Sequence, residues 1–441
     1  MNIILLSGGS GKRLWPLSNE FRSKQFIRLF KNDKGEYESM AERIYRQIMT
    51  VDPNAVITVA TSKSQISEIH NQMDASVAVS VEPCRRDTFP AIALATAYLH
   101  YVCGVSEEEP VVVCPVDPYV DNTYFEFLHE LWKDAETGKS NLTLMGIEPT
   151  YPSEKYGYII PETNEAVSNV SAFKEKPDKE AANEYISKGA LWNAGVFACK
   201  IGYVLKKAHE LIDFTDYNDL YSKYETVDKI SFDYAVVEKE KYIHVLRYCG
   251  QWKDIGSWDT LTETLNQAAI GNVIMNDSCK NVNVINELNV PVLAMGLHDV
   301  VISASADGIL VSDKCETSKI KSYVDKIDLP VMYAEKSWGS YQILNIEKGS
   351  YTLKVTLNAG HRIDYDSQDE HNEVWVVLDG EGQSFADVQK KKIKSGDVIT
   401  VKAGCRHTVI ADTKLNLIKI QFGEEISTKD KKLLSFCESF N

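Results

Sequence analysis

A glycine turn loaded with cations opens the chain. Leu6-Ser7-Gly8-Gly9-Ser10-Gly11-Lys12-Arg13-Leu14 follows directly on an apolar run. Glycines there let the backbone approach a ligand closely, and their amides can point at phosphate oxygens. Two nucleotide motifs fail against it. A P-loop needs four residues between its first Gly and the Gly-Lys pair, followed by Ser or Thr. Here Gly8 and Gly11 enclose two residues, and Arg13 follows Lys12. A dinucleotide fingerprint starting at Gly9 would need Gly where Leu14 stands. Residues 1–50 hold nine Lys/Arg against five acids, in a chain whose net charge is −15. A locally basic, glycine-rich turn of this kind suits an anion; its bland alternative is a tight strand-to-helix turn with solvated charges.

The elements that must carry this turn alternate. Ile3–Leu6, Ala55–Ala60, Val77–Val81, Val111–Cys114 and Leu142–Ile147 read as buried strands, and Pro90–Val102 and Tyr124–Ala135 have helical length and spacing. Such alternation predicts an α/β domain with a mostly parallel sheet covered on both faces. After about residue 270 short strands take over: Val292–Met295, Val300–Ile302 and Ile309–Val311. Beyond Pro330 the period becomes two, with Tyr351, Leu353, Val355 and Leu357 alternating with Thr352, Lys354, Thr356 and Asn358. Val374–Leu378, Val398–Lys402 and Leu415–Gln421 continue it, which predicts a small jelly-roll β-barrel. Thr317–Leu329 reads as a link helix. The expected division is a domain over 1–268, a β-rich connector and link helix over 269–329, and the barrel over 330–441.

Gly8 to Ser18 with Trp15, then Lys24-Gln25-Phe26, closely resembles the signature of sugar-1-phosphate nucleotidyltransferases, and of their mannose-1-phosphate guanylyltransferase branch. Further resemblances follow in chain order: Glu82-Pro83 with Arg86-Asp87-Thr88, Pro115-Val116-Asp117, Gly146–Thr150, Tyr156-Gly157-Tyr158-Ile159, Phe173-Lys174-Glu175-Lys176-Pro177, Trp192–Phe197, Phe232–Ala235 and Trp252–Trp258. The chain departs from the usual pattern at Lys12, Ser23 and Tyr119. The resemblance implies a Rossmann-like mixed sheet and the reaction of GTP with mannose 1-phosphate, giving GDP-mannose and pyrophosphate. It implies that Asp117 and Asp254 hold Mg²⁺. Gly8, Gly9, Ser10, Gly11, Arg13 and Lys24 would bind the triphosphate, with Arg13 and Lys24 catalytic through charge neutralisation. Gly157, Glu175 and Asn193 would take the sugar, and Lys176 its phosphate. Glu82 could accept from guanine. Local alternatives exist for several: a turn Asp at 117, a helix N-cap at 254, a surface ion pair at Glu175-Lys176 and a plain surface Glu82.

Trp338-Gly339-Ser340-Tyr341 resembles the opening of the cupin-like half of bifunctional phosphomannose isomerase/guanylyltransferases. That resemblance puts metal-ligand positions on Asp366, Gln368, Glu373 and His407. One imidazole is missing, and the amide of Gln368 is a poor zinc ligand. A degenerate, interface-forming barrel is expected, for which a homodimer is one assembly. Its removal is expected to disturb solubility more than transferase chemistry. Alternatives are a nucleotidyltransferase for another sugar 1-phosphate or NTP, a bifunctional isomerase, and a silent nucleotide-sugar sensor.

Composition narrows the classes. With 441 residues, the chain exceeds a single core. Net charge −15 argues against non-specific nucleic-acid binding, and no apolar run spans a bilayer. Nine scattered cysteines without a Cys-x-x-Cys pair read as reduced thiols, and no secretory signal is expected at the start. A cytoplasmic enzyme is expected.

Overall fold

The computed structural model describes residues 1–9, 12–74, 76–327, 330–363, 371–386 and 389–423, and the backbone of 366–367. The chain divides into two compact units. The first comprises residues 1–9 and 25–256; the second comprises 10–24 and 257–441.

The first unit is α/β. Its nine-stranded sheet runs in the order Ala78–Glu82, Val56–Ser62, Asn2–Ser7, Pro110–Pro115, Leu191–Lys200, Leu142–Ile147, Ile243–Tyr248, Val167–Lys174 and Tyr158–Pro161. The first four are parallel, whereas Leu191–Lys200 pairs antiparallel with both its neighbours, so the sheet is mixed. All five strands expected before residue 150 are present, each within two residues of the expected ends. Strand Pro110–Pro115 is buried almost throughout, as a central strand covered on both faces must be. The helix Thr88–Ala97 is apolar on all sides and wholly buried after its first residue. It continues as a wider π turn over Tyr98–Val102. Asn122–Thr137 begins at Asp121, whose side chain accepts from the Thr123 amide, and stops at Gly138 in the left-handed region.

In the second unit a connector of short strands leads to the barrel. Ala269–Gly271, Asn283–Asn286, Val300–Ser305 and Gly308–Asp313 form a four-stranded sheet, the first three parallel. The link helix is much shorter than expected. Lys314–Lys319 is a 3₁₀ turn and only Ile320–Val324 is α-helical, with residues 328–329 outside the described residues. A run in which Ile320 is the one buried apolar residue, beside the buried polar Thr317, lacks the apolar stripe that would sustain a longer helix.

The barrel is a six-stranded sheet facing a four-stranded one. In Ser350–Leu357 the alternation holds: Tyr351, Leu353, Val355 and Leu357 are buried and join Trp375, Val377, Leu415 and Leu417 in one core. Among the described residues no helix is long and apolar enough to cross a membrane, and the described cysteines form no disulfide.

Candidate active site

A two-stranded ladder brings the two expected metal carboxylates together. Asp117 lies in the turn between Pro110–Pro115 and the short strand Pro118–Val120. Asp254 ends the strand Trp252–Asp254. These short strands pair antiparallel, with Trp252 opposite Val120 and Asp254 opposite Pro118, so Asp254 sits across from the neighbour of Asp117. Asp254 is thus a strand-end residue, and the following helix Trp258–Thr264 is capped by Ser257. Gly256 leaves room beside it, since a Cβ there would come 3.1 Å from Asp254 Oδ2. Both carboxylates line a cavity of about 300 Å³ at the carboxyl ends of parallel strands, where open α/β sheets bind ligands.

The cavity is also lined by Gly157, Glu175, Asn193 and Asp233. The Asn193 amide donates to the Gly157 carbonyl at 2.8 Å. The Asn193 side chain donates to Asp233 Oδ1 at 2.7 Å. Gly157 is required by packing: a Cβ would lie 2.6 Å from Glu175 Oε2 and 2.8 Å from the Phe173 ring. Lys176 is half-exposed with φ +43°, and its Nζ is 2.6 Å from Glu175 Oε1. Burial works against the Lys176 charge, yet Glu175 keeps its pKa above the ordinary value.

Other expected site residues lie elsewhere. Gly8 and Gly9 follow strand Asn2–Ser7, with φ +152° at Gly9, whose carbonyl accepts from Arg85 Nη2 at 2.8 Å. Ser10 and Gly11 lie outside the described residues. Arg13 is exposed on the 3₁₀ turn Lys12–Leu14, and Lys24 opens the turn Lys24–Phe26; both belong to the second unit. Lys12, the other cation of the turn, is ion-paired with Asp325 at 2.6 Å. Glu82 ends the edge strand Ala78–Glu82 away from the cavity lining, and its Oε2 accepts from the Tyr224 hydroxyl at 2.7 Å. Burial raises the Glu82 pKa.

The lining residues to which sequence reasoning gave no role include Lys155, Tyr156, Trp252 and Asp233. Each stands inside or beside a quoted segment, so the signal was present without a role attached. Tyr156 packs between Trp192 and Trp252, with ring centroids 5.0 and 5.6 Å away. Asp233 is positioned by its neighbour Phe232, which stacks on Phe197 and donates its amide to Thr88 Oγ1.

The barrel contains a different cluster. Glu373 is fully buried. Its Oε2 accepts from Trp375 Nε1 at 2.8 Å and lies 3.0 Å from His407 Nε2, while Lys419 Nζ stands 2.7 Å from Oε1. The other ring nitrogen of His407 faces the Cys405 carbonyl at 3.1 Å. Burial alone would raise the Glu373 pKa; Lys419 and His407 override it and bring it down to about 2. Among the described residues no three His, Cys, Asp or Glu side chains gather as a metal site. The side chain of Asp366, and Gln368, lie outside the described residues. The described ligand set does not fit zinc, because one imidazole and a carboxylate already ion-paired with Lys419 are too few donors.

Two outcomes follow from these environments. Burial and the neighbouring Glu175 push the Asp233 carboxyl up to about 6 from an unfolded value of 3.8. The native state therefore holds this proton more tightly, so the site's stabilisation is full below pH 3.8 and is lost as pH rises through about 6. Between pH 5 and 7 the wild-type protein should lose about 1 kcal/mol at this site. Asp233→Asn should not lose it, as read from urea unfolding at the two pH values. A difference between wild type and variant that is the same at both would discount this proton. In the barrel, Lys419→Met should cost about 3–5 kcal/mol because it strands a buried carboxylate. Adding Glu373→Gln should recover much of that in a double-mutant cycle.

A nucleotidyl transferase family model matches residues 2–270, and a mannose-6-phosphate isomerase C-terminal model matches residues 331–434. The mannose-1-phosphate guanylyltransferase of Escherichia coli K12 is 26% identical over 470 residues, covering 97% of this chain and 96% of that one. The enzyme of the same name from Salmonella montevideo is 26% identical over 471 residues, covering 97% of each. The crystal structure of mannose-1-phosphate geranyltransferase from Thermus thermophilus superposes with a TM-score of 0.61 at 28% identity, covering 74% of this chain and 98% of that one. The glycine turn, the mixed sheet and the paired carboxylates thus fall within a matched segment, and the chain belongs to the nucleotidyl transferase family, with a C-terminal domain of the mannose-6-phosphate isomerase type behind it.

Proposed function

We propose that the protein transfers GMP from GTP to mannose 1-phosphate, forming GDP-mannose and releasing pyrophosphate. The observation that carries this reading is the pairing of Trp252–Asp254 with Pro118–Val120, which sets two carboxylates in one cavity with Glu175, Asn193 and Asp233. The reading agrees with the names of the relatives that span the chain.

A sugar phosphate is already ionised at neutral pH, so its oxygen can attack the α-phosphorus in line with no protein base. The work left to the protein is alignment and charge neutralisation. Hard oxygen donors in a pair suit Mg²⁺, which takes one or two carboxylates and keeps its waters. Asp117 and Asp254 would hold it. When bound, the ion supplies positive charge to the phosphate oxygens. The amides of Gly8, Gly9, Ser10 and Gly11 would donate to the triphosphate, and Arg13 and Lys24 would offset its charge and that of the departing pyrophosphate. Gly157, Glu175 and Asn193 would receive the sugar hydroxyls, and Lys176 would hold the sugar phosphate. Glu82 would offer Oε1 to guanine N1 and the exocyclic amine, since Oε2 is engaged by Tyr224.

Asp117→Asn and Asp254→Asn should each lower kcat by about 100-fold or more, as loss of one charge at a preorganised phosphate site does. Their urea midpoints should stay at the wild-type value. Pyrophosphate release with Mg²⁺, measured over a panel of sugar 1-phosphates and NTPs, tests both substrate choice and the two carboxylates; near-normal turnover of either variant removes that residue from the site. The same purified protein should not interconvert mannose 6-phosphate and fructose 6-phosphate with Zn²⁺, Co²⁺ or Mg²⁺. Robust isomerisation would mean that Asp366, Gln368 or His371 rebuilds a metal site.

A further inference from the structure

The segment that carries Arg13 and Lys24 is folded into the C-terminal half of the chain. Trp258 Nε1 donates to the Trp15 carbonyl at 3.3 Å, and Ser305 Oγ donates to the Pro16 carbonyl at 2.6 Å. Gly308, at φ +147°, faces the Trp15 indole so closely that a Cβ would fall 2.5 Å from the ring. Phe21 packs on the barrel core and lies under Lys336, whose Nζ is 4.2 Å from the ring centre. Arg22 makes two hydrogen bonds to Glu287, at 2.9 and 3.0 Å, and stacks over Tyr333.

One carboxylate joins all three pieces. Asp307 sits in the turn between the connector strands Val300–Ser305 and Gly308–Asp313. Its Oδ2 accepts from Asn19 Nδ2 at 2.7 Å, and its Oδ1 accepts from the Met332 amide at 2.7 Å, where the chain enters the barrel. Asn19 then shapes the loop itself. Its Oδ1 accepts from the amides of Phe21 and Arg22, and its Nδ2 also donates to the Tyr333 carbonyl. Alongside runs a cleft of about 410 Å³ lined by Arg22, Glu287, Asp307, Tyr333 and Gln342. Where a seam is partly open to water, directional hydrogen bonds and ion pairs decide loop shape more than apolar burial does.

We infer that Asp307 and Glu287 are positioning residues for nucleotide use: through Asn19 and Arg22 they hold residues 12–24 in the conformation that presents Arg13 and Lys24. The C-terminal half is then part of the transferase machinery, the reverse of the expectation that its removal would spare the chemistry. This rests on the reading that Arg13 and Lys24 meet the triphosphate.

The test uses full-length protein. Asp307→Asn turns one of two acceptors into a donor facing Asn19 Nδ2 or the Met332 amide. Glu287→Gln removes the charge and one of the two bonds to Arg22. KM values for GTP and for mannose 1-phosphate are measured by pyrophosphate release for both variants, with Arg13→Ala in parallel. The expected result is a GTP KM raised tenfold or more in both variants and in Arg13→Ala, with the mannose 1-phosphate KM within twofold of wild type. Wild-type GTP KM in both positioning variants beside a raised value in Arg13→Ala overturns the inference. So does an equal rise of both KM values with a lowered Tm, which marks a structural role alone. Wild-type GTP KM in Arg13→Ala overturns the reading of the loop itself, and the inference falls with it.

Discussion

Three pairs of residues, Trp252–Asp254 against Pro118–Val120, bring the two candidate carboxylates of the first unit to one cavity. Two carboxylates repel, and side chains on separate loops would relax apart. Here each is tied to the backbone of a ladder whose register puts Asp254 beside the Pro118 that follows Asp117. The sheet stands behind that ladder: Pro110–Pro115 is a buried central strand, and Asp117 is reached two residues after it ends. Electrostatic catalysis depends on groups that need not reorganise when charge develops. Rigid backing by a buried strand is the fold's contribution to that requirement.

The rest of the lining answers a different demand. On the proposed reading it would meet sugar hydroxyls, which are neutral and need fixed acceptors and donors in a partly dry place. The Gly157 carbonyl, Asn193, Asp233 and Glu175 hold one another through hydrogen bonds and close packing before any ligand arrives. Burial and the neighbouring Glu175 raise the Asp233 pKa to about 6, so the wall sheds one of its two charges only as pH falls through that value. Polar groups in such a wall must be mutually satisfied, because each unsatisfied one costs about 1–3 kcal/mol.

Lys419 shows how the barrel keeps a buried acid charged. It stands on the inward side of Leu415–Phe422, at the same parity as Leu415 and Leu417. A charged side chain at a buried parity survives only with a partner, and Glu373 provides it at 2.7 Å while Trp375 lies beneath the ammonium. The sequence reading placed a strand at 415–421, but beyond Leu417 its apolar residues, Ile418 and Ile420, fall on the opposite parity from the buried Lys419 and Gln421. The pattern still contained the sign that Lys419 was unusual, since the alternation that buries Leu417 must bury residue 419 as well.

Period and motif were enough to read the α/β unit, the connector strands, the barrel, and the candidates Asp117, Asp254, Glu175 and Asn193, because these depend on local spacing and on segments a few residues long. The link helix was misjudged because helical length there is set by whether neighbours bury an apolar stripe, and among the described residues of the link Ile320 is the one buried apolar side chain. Asp233 and Lys155 were passed over because their significance lies in what stands across a cavity from them. Nothing local indicates that residues 10–24 leave the sheet they follow and join residues 257–441. The bonds responsible, Asn19 with Asp307 and Arg22 with Glu287, join positions more than 260 apart in sequence. Period-two and helical patterns report which face of an element is buried, whereas a polar pair leaves no such mark on either partner. Only the closed chain decides which distant donor meets which acceptor, and so which half of this protein holds residues 12–24.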